Sequence, residues 1–401
     1  MRAIACRLVV VAGCVVTASA GAAEIRVAHD GTGDFTTIQP AIHAAADGDE
    51  VIVAAGEYVV AEPVDFEGKA IALRSEAGAA NTTIRMSETP LDPKRASVVI
   101  FAGSEPEAAS LEGFTVTGGQ GTRTVVEECG FDCIIRDALV GGGVFCGGTA
   151  RPVLVNCRIA GNTAEMGAGV FCGSSVAFIN CVIAGNDLRS DAVEPNVEGE
   201  AVYCHGPPWP RLVNCTVGAL HSAIRPYEAE PFMRNCLLWG ADGVGWGMEV
   251  DPAADFLDAA GGDYRLRPDS RAIDVGTSDG APAFDLDGNV RPCGGWVDMG
   301  AYEAGDCGPQ PRFRRGDANG DGKQDISDAI LTLSYLFLGG AELPCDSAAD
   351  ADDVKGLTIS DGVYLLGFLF LGGDPPPPPF PGCGWDLTVG VLDCRAYPEC
   401  R

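Results

Sequence analysis

One stretch constrains the fold more than any other. Residues 141–166 read GGGVFCGGTARPVLVNCRIAGNTAEM, and residues 167–186 read GAGVFCGSSVAFINCVIAGN. The blocks G-x-G-V-F-C and N-C-x-I-A-G-N both recur, which sets Cys146 in register with Cys172 and Cys157 with Cys181. A period of about 25 residues marks a solenoid whose every coil is one turn of chain. The Asn-Cys pair returns at Asn214 and at Asn235, in more degenerate coils.

A single coil cannot bury its apolar face. Stacking coils about 4.8 Å apart pairs each short strand with the next and turns equivalent positions into ladders. An asparagine ladder can hydrogen-bond along its length at a bend. A cysteine ladder places small apolar side chains inside. No Asn-Cys pair has C-x-x-C spacing, so these cysteines are read as packing and not as a zinc site. The 54 glycines suit short strands joined by tight turns.

The chain leads into this solenoid through EIRVAHDGTGDFTTIQPAIHAAADGDEVIVAAGEYVV, residues 24–60. Strands are expected at Ile25–Ala28 and Val51–Ala54. Thr36 followed by Gln39 reads as a capping box opening a short helix with Ile38, Ile42 and Ala45 on one face. Pro40 is tolerated because it lies in the first turn. Further strands are expected at Ala70–Leu73, Ser97–Phe101 and Phe114–Val116. The run from Asp30 to Phe35, with Thr37-Ile38-Gln39, Asp47-Gly48-Asp49 and Val51 to Tyr58, resembles the opening of right-handed parallel β-helix proteins of the pectinesterase and pectate-lyase type. That resemblance implies a mainly β, right-handed parallel β-helix and carries no catalytic group. Residues 251–305 are expected to close the helix. Their Asp269 to Gly276, Asp285 to Pro292 and Val297 to Glu303 resemble the terminal segment of large exported bacterial β-helix proteins. Asp285, Asp287 and Asn289 fit either a calcium loop or a turn held by Asx hydrogen bonds, the turn being the plainer reading.

A net charge of −29 argues against phosphate backbones and anionic membranes as partners. Residues 1–23 read as a signal peptide: Arg2 and Arg7, an apolar run Leu8–Val16, then Ala18-Ser19-Ala20 and Ala20-Gly21-Ala22 as cleavage sites. Val11-Ala12-Gly13-Cys14 leaves a lipoprotein signal as the alternative. No later stretch is apolar enough to span a membrane. Export makes disulfides expected, and removing Cys6 and Cys14 from the 17 cysteines leaves an odd number.

The strongest chemical signal is DANGDGKQDISD, residues 317–328. Asp317, Asn319 and Asp321 stand at loop positions 1, 3 and 5, Gly322 at the sharp turn, the Lys323 carbonyl at 7, Asp325 at 9 and Asp328 at 12. A hard cation needs six or seven oxygens, and this spacing supplies them to Ca2+. Ile326-Ser327-Asp328 and the following Ala329–Gly340 recur as Ile359-Ser360-Asp361 and Gly362–Gly373. The second loop keeps Asp350, Asp352 and Asp361, but Val354 replaces the acid at position 5 and Lys355 the glycine, so weaker binding is expected there. Two such loop–helix units resemble a type I dockerin, a calcium-dependent docking module. The resemblance covers residues 314–373 and implies a small all-α calcium-loop domain at 306–374 with a cohesin-like or cell-surface partner. Pro375–Pro379 reads as a polyproline spacer. The tail to residue 401 reads as a small disulfide knot holding Cys383, Cys394 and Cys400 and including Cys345.

No catalytic signature of pectinesterases or polygalacturonases occurs in the coils. The best acid/base cluster is the bulge after the second regular coil, where Glu194 and Glu198 lie near His205 and Arg225. An acidic loop is more commonly just a solvated loop. The sequence therefore predicts an extracellular or cell-surface β-helix at 24–305 with a non-catalytic, adhesive or carbohydrate-associated role and a calcium-dependent docking module. A polysaccharide lyase or glycoside hydrolase is the alternative, and Gly119–Ala138, with Cys129 and Cys133, is expected to be a disulfide-tied loop.

Overall fold

The computed structural model describes residues 22–129, 133–189, 201–206, 209–219, 223–227, 231–240, 247–293, 295–305, 312–354 and 356–384, with Leu392, Cys394, Tyr397 and Cys400. Residues 1–21, most of the expected signal peptide 1–23, lie outside this range, and so do the side chains of Cys129 and Cys133.

Three parallel sheets wind along one axis. The first carries eight strands, from Glu24–Val27 to Phe232–Arg234. The second carries eight, from Gly56–Val60 to Met248–Glu249. The third carries six, from Val64–Asp65 to Ile224–Tyr227. The registers give the expected ladders: Leu73, Leu111, Leu154, Phe178 and Leu212 stack in the first sheet, and Cys146, Cys172 and Cys204 in the third. All of these are buried in one continuous core. Strands anticipated from the sequence fall within one or two residues of the observed bounds. The architecture is a parallel β-helix.

The corner from the first sheet to the second explains the Asn-Cys repeat. Asn156, Asn180, Asn214 and Asn235 all hold left-handed backbone, with φ between 50 and 54°. Asparagine tolerates that conformation better than other residues with a Cβ. The side chains also bond along the stack, Asn180 Nδ2 donating to Asn156 Oδ1 at 3.1 Å and Asn235 Nδ2 to Asn214 Oδ1 at 3.3 Å. In the coil before, Gly113 turns the corner with φ 75°. The cysteine after each asparagine points inward. Cys157, Cys181, Cys215 and Cys236 are buried free thiols, and so are the three of the third sheet.

Helix α1 (Ile38–Ala44) packs Ile38, Ala41 and Ile42 into the core near its N-terminal end. The expected capping box does not form: Thr37 is the N-cap and makes no side-chain cap bond. Gln39 turns instead to the neighbouring coil, where it accepts from Asp65 N at 2.9 Å and donates to Asp65 O at 2.9 Å. Two bonds to a strand backbone outweigh one cap.

Gly121–Cys129 and Cys133–Val140 form a long antiparallel hairpin. It lies over the outer face of the third sheet, where Val126, Ala138 and Val140 bury Met166, Phe171 and Tyr203. The closing segment runs along the outside of the helix. Helix α2 (Pro252–Asp255), the hairpin of Phe256–Asp258 with Asp263–Leu266, and the turns to Glu303 pack on the outer face of the second sheet, over Val182, Ala184 and Leu237. They are clipped to the asparagine corner: Asn180 Nδ2 donates to Phe284 O, Asn214 Nδ2 to Asp298 O at 3.4 Å, and Asn235 Nδ2 to Thr277 O at 2.7 Å. Asp285 forms a turn, accepting from Asp287 N, Asn289 N and Asn289 Nδ2. That is the Asx arrangement. Arg291 and Glu303 make a fully buried ion pair at 3.1 Å inside this strap.

The C-terminal module holds α3 (Ile326–Leu338), α4 (Asp346–Ala349) and α5 (Ile359–Leu371). Helices α3 and α5 are copies in detail. Each opens with a complete capping box, at Asp325/Asp328 and Thr358/Asp361, and each ends on a left-handed glycine, Gly339 and Gly372. The prolines do not form a free spacer. Pro376 and Pro379 are buried, and the carbonyls of Pro378 and Pro379 accept from Arg315 Nε and N at 3.0 and 2.8 Å. A buried guanidinium needs acceptors, and prolines offer carbonyls without competing N–H groups. Disulfides Cys345–Cys394 and Cys383–Cys400 tie the tail to the module.

Candidate metal centre

The two loops share one scaffold. In the first, Asp328 Oδ1 accepts from Asn319 N at 3.1 Å and Oδ2 from Asp325 N at 2.9 Å. In the second, Asp361 Oδ1 accepts from Asp352 N at 3.3 Å and Oδ2 from Thr358 N at 2.7 Å. The last acid of each loop thus caps its helix and pins the loop start, which draws loop positions 1, 3 and 12 together.

The outcome differs between the copies. In the second loop, ligand atoms of Asp350, Asp352 and Asp361 lie within 4.8 Å of one another, the one such group of three among the described residues. Asp350 and Asp361 are buried. Asp350 Oδ1 is buried with no hydrogen-bond partner. Burial and the adjoining Asp361 push Asp350 up to about 7, and burial also raises Asp361. An orphaned carboxylate oxygen facing two further carboxylates fits a divalent cation, whose charge would remove both the repulsion and the missing contact. Val354 at position 5 is exposed and offers no side-chain oxygen.

The first loop has the fuller ligand sequence but a more self-satisfied structure. Asp317 Oδ1 accepts from Asp321 N at 3.1 Å, and its Oδ2 accepts from Gly322 N at 2.8 Å and from the Tyr397 hydroxyl. Asn319 Oδ1 accepts from Asp321 N, Asp321 Oδ1 from Lys323 N, and Asp325 Oδ1 from Ser327 N. Burial pushes Asp328 up to about 6, with the charges of Asp317 and Asp325 adding to the effect. Side-chain oxygens stand at loop positions 1, 3, 5, 9 and 12, each held by a backbone N–H. The Tyr397 contact had no signal in the sequence, since it joins residues 80 positions apart.

Arg315 couples the copies. Its fully buried guanidinium donates to Asp350 O at 2.8 Å and pairs with Asp353 Oδ1 at 3.0 Å, while its backbone leads into the first loop. Asp353, at φ 57°, takes the position that Gly320 fills with φ 69° in the first loop.

The acid/base candidates of the β-helix are placed in part. Glu194 and Glu198 lie outside the described residues. His205 and Arg225 both belong to the outer face of the third sheet, in adjacent coils, with Arg225 in register with Tyr203. The His205 ring stacks on Phe171 and Tyr203, and its Nε2 lies 2.8 Å from Glu127 O on the covering hairpin. Arg225 is exposed.

No family model matches this chain, and no sequence relative was found among characterised proteins. Among solved structures it is similar to a pectin methylesterase from carrot, at 18% identity over 57% of this chain and 77% of that one, with a TM-score of 0.31. It is similar to the pectin methylesterase of Aspergillus niger, at 16% identity over 58% and 81%, with a TM-score of 0.35. The third is the pectate lyase Pel9A, at 12% identity over 71% and 97%, with a TM-score of 0.34. At this level the likeness carries no argument, and the description as a parallel β-helix rests on the strand pairing of this chain.

Proposed function

We propose that this is an extracellular β-helix protein with a carbohydrate-associated, non-catalytic role, joined to a partner through a calcium-dependent docking module at residues 314–373. The observation that carries the docking half is a duplicated apolar surface. Ile326, Ile330, Phe337 and Leu338 on α3 are exposed, and so are their copies Ile359, Val363, Phe370 and Leu371 on α5. Solvated helices rarely leave four large apolar side chains each in water unless a partner covers them. The partner is a protein with an apolar face. In the second loop Asp350, Asp352 and Asp361 would hold the cation. In the first, Asp317, Asn319, Asp321, the Lys323 carbonyl, Asp325 and Asp328 would do so. A bound Ca2+ neutralises the buried carboxylates and fixes the start of each helix, which sets the spacing of the apolar face. The alternative of a lyase or glycosidase has weaker support, because the hairpin packs over the sheet face that bears His205.

The test is thermal unfolding of the full chain before and after thorough chelation. A lowered melting transition, restored by calcium and not by magnesium, is expected. An unchanged curve would sink the calcium-dependent reading.

A further inference from the structure

The closing strap does not cover the second sheet completely. Between the strap hairpin and the coils an open cavity of about 590 Å³ remains, lined among others by Arg158, Asp187, Trp239 and Tyr264. Its size is typical of small-molecule sites, about 300–1,000 Å³. Its floor follows from register. The outward position that carries Trp239 in one coil is Gly218 in the coil before, and Ala184 and Ala160 in the two before that. The step of stacked coil from Ala160 to Ala184, about 5 Å, is therefore paved with small side chains, and Gly218 makes the seat for the ring beyond it.

Trp239 forms the end wall. Its indole lies flat on Gly218, where an added Cβ would sit 1.9 Å from Cε2, so only glycine seats it. Tyr264 forms the side wall, its ring centroid 5.2 Å from that of Trp239 at 30°. Tyr264 is only 7% exposed, yet it lines the cavity, and its hydroxyl, beside the lining Gly185, has no hydrogen-bond partner among the described residues. Asp187 is exposed and Trp239 half-buried at the cavity, and neither side chain has a hydrogen-bond partner among the described residues. Arg158 is already engaged by the Tyr302 hydroxyl at 2.9 Å and Gly262 O at 3.3 Å.

From this geometry we infer that the cavity is a binding site for a neutral saccharide. The half-buried Trp239 indole, backed by the buried Tyr264 ring, accepts the C–H face of a sugar ring. The Tyr264 hydroxyl and the Asp187 carboxylate supply the few convergent polar contacts that fix ring hydroxyls. The protein carries a net charge of −29 and the exposed Asp187 stands at the rim, so phosphates and uronic acids are disfavoured. The site lies on the second sheet, away from His205 and Arg225 on the third. The inference deepens the carbohydrate half of the proposed function and rests on it, but is independent of the docking half.

The experiment is calorimetric titration of the full-length, calcium-loaded protein with gluco-, xylo- and manno-oligosaccharides and with an oligogalacturonide. Binding of a neutral oligosaccharide is expected, weakened about tenfold or more by Trp239→Ala and about threefold to tenfold by Tyr264→Phe. Tyr264→Phe removes one oxygen from a packed ring, so it reads the site even if Trp239→Ala unfolds the strap. Neutral binding unchanged in Tyr264→Phe and in a folded Trp239→Ala would overturn this site and leave the carbohydrate reading standing. Preference for the oligogalacturonide would overturn the neutral assignment. Silence toward every sugar, with a chelation-sensitive melting curve intact, would overturn the site and the carbohydrate half together while leaving the docking half.

Discussion

Glu303 shows how one residue can set a pH dependence. It is fully buried against Arg291 and accepts from Cys293 N at 2.8 Å and Asp298 N at 3.0 Å. Burial nevertheless pushes it up to about 7 against the pull of Arg291. A carboxyl raised in the folded state favours folding while protonated. Its contribution is full below the unfolded value, about 4.3, and is lost as pH rises through about 7. The β-helix should therefore lose stability between these limits, by on the order of 3 kcal/mol from this group alone. Glu303→Gln should be less stable overall, because one acceptor is gone, and should show a flatter slope in denaturant midpoints from pH 4.5 to 7.5. An equal slope in both proteins would refute the assignment. At this scale the sequence was partly legible. The oxygens of both loops could be numbered from spacing, but the orphaned Asp350 Oδ1 could not, because it depends on what fails to reach it.

At the scale of elements, the asparagine corner makes the sharpest claim. Asn180 combines left-handed backbone, a ladder bond to Asn156 and a bond to the strap at Phe284. Asn180→Gly keeps the backbone and loses the bonds. Asn180→Ala loses both, and should melt lower by the additional roughly 1–2 kcal/mol of left-handed strain. Equal melting of the two variants would mean that the corner is not strained. Helices α3 and α5 make a separate claim about function. Phe337→Asp with Phe370→Asp changes exposed side chains only, so melting should hold or improve while capture of a docking partner is lost. A large drop in melting temperature would show that this face is packed within the chain. The duplication was legible because Ile326-Ser327-Asp328 and Ile359-Ser360-Asp361 repeat in sequence. The capping box expected at Thr36 does not form because Gln39 finds a better use in the next coil, one invisible to a local pattern.

At the scale of the whole molecule, two stabilising logics meet in one chain. The β-helix stacks a continuous apolar core with, among the described residues, seven buried free thiols, whereas the small module relies on disulfides and, by the proposal above, on cations. Chelation should then lower only the module's transition and leave that of the β-helix in place, which differential scanning calorimetry of the full chain resolves. The sequence by itself determined the coil, its register, the inward cysteines, the asparagine corners and the twin loop–helix units, because each is a repeat and, in the β-helix, stacking turns repeats into ladders. Only the tertiary structure decided that the hairpin covers the third sheet, that the strap runs along the second and leaves a cavity there, that the prolines fold back onto Arg315, and that three carboxylates converge in the second loop. Those outcomes join residues far apart in sequence, and no spacing rule encodes which of two exposed faces a segment will bury.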